Sequence, residues 1–133
     1  MSRQRRHGSW QLPPHFAREQ RRLEAAGIRG WQALAELDDA SLRLLAADGA
    51  SEQRLRRLRG QALLVEQVGL EPQVAALLLH AGIATPVGLA GSDPQWLQRQ
   101  VGRLRRNLLG AAAPGPSLGT VQGWINQARR ATN

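Results

Sequence analysis

The chain has 133 residues, no cysteine and a formal net charge of +8 at pH 7. That length admits one domain or two very small ones, and the lack of cysteine excludes disulfides, thiolate zinc sites and cysteine nucleophiles. No apolar run approaches the roughly 20 residues needed to span a bilayer, and the basic N-terminus has no apolar stretch of the kind a signal peptide carries, so a cytoplasmic protein is expected.

Residues 1–13 are polar, basic and proline-terminated, and read as a flexible arm. Helical periodicity begins at Pro14. Phe16, Gln20 and Leu23 mark a first helix that stops at Gly27. A short helix is expected from Trp31 to Glu36. Asp38 or Asp39 can cap a third, carrying Leu42, Leu44 and Leu45. Asp48-Gly49 is a turn signal. Ser51 then caps a long helix with Leu55, Leu58, Ala62 and Val65 on one stripe. After Gly69, Pro72 stands where a helix-opening proline belongs. Further helices are expected near 72–81, 86–90, 94–109 and 117–131, with 111–116 as a loop. Strand alternation is absent, so the expected class is all-α.

The chain is also written twice. Leu23-x-x-Ala26-Gly27-Ile28, followed by Leu34-Ala35, Asp38 and Leu42, recurs in the same register as Leu78-x-x-Ala81-Gly82-Ile83, Leu89-Ala90, Asp93 and Leu97. Trp10 to Ala17 matches Val68 to Ala75. Ser51, Leu55, Leu58 and Gln61-Ala62 recur as Ser117, Val121, Trp124 and Gln127-Ala128. This last pair of segments is set further apart than the others, which places an insertion in the second copy near 110–116. The expected organisation is an arm at 1–13, one helical repeat at 14–67 and a second at 68–133. Each repeat is small enough that the two should pack together.

Charge is distributed unevenly over this plan. Residues 10–71 hold nine arginines and nine acids, whereas residues 72–133 hold six arginines and only Asp93. The arm adds Arg3, Arg5 and Arg6 without an acid. The helix near 94–109 is expected to bury Leu97, Val101, Leu104 and Leu108, which leaves Arg99, Arg103 and Arg106 opposite and Arg105 at the side. A solvated helix face normally mixes charge signs. A one-sign face is therefore the leading candidate for a polyanion contact, with a merely solvated face as the plain alternative. Arg54, Arg56 and Arg57 form a weaker patch, because Glu52 and Glu66 partly offset them.

Two hairpins are candidate anion sites. At Gly69-Leu70-Glu71 and its counterpart ending in Pro13, the second position is a carboxylate or a residue without an N–H, so packing is expected there instead of phosphate binding. Ser117 and Gly119 open the last helix and either cap it or offer first-turn N–H groups to a phosphate. Trp10 is either a staple onto the first helix or an anchor on a partner. His7, His15 and His80 have no metal-ligand spacing, and no cofactor is indicated.

The order Leu-x-x-Ala-Gly-Ile, Leu-Ala, then a serine-capped helix ending Gln-Ala resembles tandem helix-hairpin-helix (SAM-like) domains. It is similar to the N-terminal DNA-binding domain of strand-exchange recombinases and to the C-terminal domain of the bacterial RNA polymerase α subunit. Trp124-Ile125-Asn126-Gln127-Ala128-Arg129 resembles the closing segment of a bacterial family of uncharacterised proteins built on this unit. The resemblance covers residues 10–130 and implies a four- to five-helix unit that binds DNA or holds proteins together. Without a nucleophile–base pair, metal cluster or phosphate-binding loop, the expectation is a non-catalytic module. Its expected partner is nucleic acid, duplex DNA first. The alternative is an assembly adaptor docking through Trp10, Arg99, Arg103 and Arg106 on an acidic surface of a larger complex.

Overall fold

Short side chains with an oxygen set where the helices begin. The computed structural model describes Trp10 and residues 12–133, and the arm arginines Arg3, Arg5 and Arg6 lie outside the described residues. Among the described residues there are eight α-helices and no strand: α1 (Ala17–Ala25), α2 (Trp31–Ala35), α3 (Asp39–Leu45), α4 (Glu52–Leu63), α5 (Pro72–His80), α6 (Pro86–Ala90), α7 (Pro94–Leu109) and α8 (Leu118–Thr132). A 3-10 turn at Pro14–Phe16 leads into α1. Asp38, Ser51, Thr85, Asp93 and Ser117 cap their helices by accepting from a backbone N–H in the first turn. Pro72, Pro86 and Pro94 open α5, α6 and α7, where the missing N–H is harmless.

The stops are equally local. α1 ends where Gly27 takes φ +85° and the Ile28 N–H donates to the Leu23 carbonyl at 2.8 Å. α5 ends in the same way at Gly82 (φ +90°), with Ile83 donating to Leu78 at 2.8 Å. α4 passes into one π-helical turn, Leu64–Val68, and is stopped at Gly69 in the left-handed region. The sequence pattern foresaw the long helix but not the widened turn, which rotates Leu64, Val65 and Val68 all into the interior.

One apolar core runs from Leu12 to Ala128. Leu23, Leu34, Leu42, Leu55, Leu58, Leu78, Leu89, Leu97, Val121 and Ile125 are buried in it. α4 is the central pillar: it packs against α2 and α3 on one side and α5 on the other, while α8 packs against α6, α7 and the π-helical turn. The expected burial of Leu108 does not hold. Leu44 points away from Leu42 and is 80% exposed, and Leu108 and Leu109 are 61% and 67% exposed because the last turns of α7 run past the core. Trp96 is 40% exposed, and the two halves meet chiefly through α4 with α5 and the π-helical turn with α8.

The α3 cap carries a pH signature. The Ser41 N–H, at 2.8 Å, holds the Asp38 carboxyl below the usual carboxylate range, and Arg59, then Arg56, do so for Asp39. A carboxyl whose folded pKa is depressed stabilises the fold fully above about pH 4, and the contribution is lost as pH falls through the folded value. Urea unfolding between about pH 7 and about pH 3 should therefore show a shallower acid limb for Asp38→Asn/Asp39→Asn than for the parent chain.

Candidate nucleic-acid interface

The sixteen residues of α7 form an amphipathic rod. Leu97 and Val101 are fully buried on one side, and Arg99, Arg103 and Arg106 are exposed. Positions 99, 103 and 106 fall within about 60° of arc on an α-helix, so the three side chains leave from one face, and the Arg106 guanidinium lies back beside Gly102 and Gly115. The ion pairs Arg22–Asp48, Arg54–Glu19, Arg56–Glu52, Arg56–Asp39 and Arg59–Asp39 all lie between residues 19 and 59, and these three arginines join none of them.

Arg105 is placed differently. Its Nε donates to the Pro114 carbonyl at 2.9 Å, and Gln98 Nε2 donates to the Pro116 carbonyl at 3.2 Å. The segment after Gly110 thus returns along α7 and crosses it where a Cβ on Gly115 would stand 3.0 Å from Gly102 Cα. This return delivers the start of α8 beside the first half of α7. Ser117 accepts from the Thr120 N–H at 3.0 Å and also donates to Thr120 Oγ1 at 3.0 Å, so its hydroxyl acts as a cap. Gly119 is exposed, with no heavy atom closer than 3.9 Å to where a Cβ would stand. Ser117→Ala should cost about 1 kcal/mol of stability, read as a lowered thermal midpoint.

The α4 arginines have work inside the fold. Arg54 lies over the Phe16 ring at 4.8 Å, donates to the His15 carbonyl and meets Glu19 at 3.5 Å. Arg56 is held between Glu52 at 2.8 Å and Asp39 at 3.1 Å, and the Arg57 fork donates to the Leu79 carbonyl at 3.0 Å. The spacing of these residues showed that they scatter around the helix. It did not show that each ends on a partner within the fold. Trp10 is likewise engaged: its Nε1 donates to Glu24 at 3.1 Å and its ring meets Trp31 edge-on at 5.2 Å, the staple role.

Sequence reading missed a groove of about 780 Å³. Leu12 to Pro14, the outer side of α5 (Ala76, Leu77, His80) and Arg105, Leu108 and Leu109 line it. Gln61, almost fully buried, also lines it; its Nε2 donates to the Pro72 carbonyl at 3.1 Å and its Oε1 has no protein partner. Among the described residues no set of three His, Cys, Asp or Glu side chains is placed to hold a metal ion, and no helix is long and apolar enough to cross a membrane.

No curated protein and no solved structure matches the chain. A family model described as a domain of unknown function, DUF4332, matches residues 13–131. That span takes in all eight helices but the last residue of α8, so the chain belongs to the DUF4332 family.

Proposed function

We propose that the chain is a non-catalytic nucleic-acid-binding module made of two helix-hairpin-helix-like units, with duplex DNA as its expected ligand. The observation that carries the reading is the α7 face, whose three arginines join no ion pair among the described residues. Arg99, Arg103 and Arg106 stand exposed on one side of a rigid helix, in a half of the chain with six arginines and one acid. Such a face neutralises phosphates without reading bases, and binding of this kind releases counterions and weakens steeply with salt.

The two-unit organisation, with boundaries near residues 14–67 and 68–133, has its own support. The starts of α5, α6 and α7 (Pro72, Pro86 and Pro94) keep the spacing of the starts of α1, α2 and α3 (Ala17, Trp31 and Asp39). Only α8, which answers to α4, begins later than that spacing would put it. α2 packs on α4 as α6 packs on α8. α7 has 16 residues against 7 in α3, so most of the insertion lengthens this helix. The added turns carry Arg103 and Arg106, while Arg99 stands where α3 has Leu44, so the arginine face has no counterpart on α3. Helix-hairpin-helix likeness is an inference from motif order, and it fits the paired units.

The test is a titration of labelled duplex, single strand and RNA at several salt concentrations. Micromolar or tighter binding to duplex with a log–log salt slope of several units is the expected result. A salt slope near zero would refute the reading. The groove and the neighbouring exposed Leu108 and Leu109 favour the second reading, an adaptor that docks on an acidic protein surface. That reading expects one defined partner in a pull-down and little discrimination among nucleic acids.

A further inference from the structure

Away from α7, four cationic or titratable side chains from three elements gather with little counter-charge. His15, in the turn before α1, and His80, the last residue of α5, bring their rings to 5.4 Å between centroids. Arg54 from α4 donates to the carbonyl of His15, and Arg57, one turn on, donates to the carbonyl of Leu79 beside His80. The Arg57 guanidinium is thus held by a bond to a neutral carbonyl, which leaves its charge uncompensated, whereas Arg54 also pairs with Glu19 at 3.5 Å. The carboxylate that faces them, Glu19, is 1% exposed and already accepts from the Ser51 N–H at 3.0 Å and from Arg54. Both imidazoles are exposed, and His80 lines the groove.

From this juxtaposition we infer that His15, His80, Arg54 and Arg57 form a binding site for a phosphate-class dianion. Guanidinium forks and imidazole N–H groups match the several acceptor oxygens of a phosphoryl group better than the two of a carboxylate. A dianion would also relieve the repulsion among the four groups. The state of His15 agrees with this. Burial first, then His80, Arg54 and Arg57, hold its pKa below the ordinary histidine value, while Glu19 pulls weakly the other way. A divalent cation is the wrong ligand for the same place: two arginines repel it, and no third His, Cys, Asp or Glu completes a set among the described residues. The site lies on α1's lead-in turn, α4 and α5, and does not depend on the proposed role of α7.

The histidine ring resonances of the full chain report on it directly. At constant ionic strength, inorganic phosphate should shift the His15 and His80 signals saturably and raise the His15 pKa, because a bound anion favours the imidazolium. Acetate or chloride at equal ionic strength should not. Loss of a charge-assisted bond in His80→Asn, an exposed position, should weaken phosphate about tenfold. Arg99→Gln/Arg103→Gln/Arg106→Gln should leave phosphate binding unchanged, which separates this site from the α7 face. A nucleoside monophosphate and vesicles containing phosphatidate are the two further probes, and the tightest of the three names the source of the phosphate. Unshifted histidines with all three probes overturn the site. So do equal shifts with acetate, or an undiminished affinity in His80→Asn whose own spectrum shows it folded.

Discussion

Gly60→Ala lowers the stability of this protein by about 3 kcal/mol or more, one of the larger costs a single methyl group can impose. A Cβ at position 60 would stand 2.1 Å from the carbonyl oxygen of Ala84 and 2.9 Å from its carbon, both backbone atoms. No rotamer change relieves that contact, so either α4 or the α5–α6 connection must move. Neither is free to do so. One turn before Gly60, Arg57 donates to Leu79, and the next residue, Gln61, donates to Pro72. Leu58 and Ala62 on the same helix, and Leu64 just beyond it, are fully buried. The ordinary helix preference for alanine over glycine, about 1 kcal/mol, acts in the opposite direction and is too small to offset the overlap. Gly123→Ala is the matched control. It lies inside α8 with no heavy atom within 4 Å of where its Cβ would stand. There the preference acts alone, and the chain should gain up to about 1 kcal/mol. Thermal midpoints of the two variants should therefore move in opposite directions, down by on the order of 10 °C for Gly60→Ala. A Gly60→Ala protein as stable as its parent would mean that α4 and the α5–α6 connection do not meet as described.

Gly60 also shows where the sequence stops being informative. The element boundaries were legible because each rests on local chemistry: Ser51 and Ser117 cap, Gly27 and Gly82 stop, Pro72 opens. The buried stripes of α4 and α8 were legible because helical period alone decides which residues share a face. The tight crossing at Gly60 depends on Ala84, which arrives from the other half of the chain, and the duplicated pattern gives no hint of it, since the matching position in the second copy is Asn126. Leu108 kept the period of Leu97 and Val101 and yet is exposed, because period predicts a face and not where the neighbouring element ends. Among the candidate site residues the same division holds. The α7 arginines share a face by spacing alone. That Arg54, Arg56 and Arg57 are engaged by Glu19, Glu52, Asp39 and two backbone carbonyls is tertiary information. So is the meeting of His15 with His80, which belong to opposite halves of the chain.

Replacing Arg99, Arg103 and Arg106 together by glutamine should reduce affinity for duplex DNA at low salt by about fiftyfold or more and lower the log–log salt slope by about three. The reasoning is a count of released counterions. Each arginine that neutralises a phosphate contributes roughly 0.9 to the slope, and three such contacts are removed while the helix stays intact. Stability should hardly change, by less than about 0.5 kcal/mol, because these side chains are exposed and make no ion pair among the described residues. Arg56→Gln/Arg59→Gln gives the converse result. Those residues hold Glu52, Asp39 and the Leu37 carbonyl, so their loss should be visible in unfolding and nearly absent from DNA affinity. Arg105 is left out of the triple because its bond to Pro114 secures the return loop, and its loss would mix a folding effect with a binding one. The two variants remove similar charge, three against two, so a general dependence on net charge predicts comparable losses from both. A face-specific interface predicts a large loss only from α7. Equal, small losses would leave the α7 face as an ordinary solvated surface.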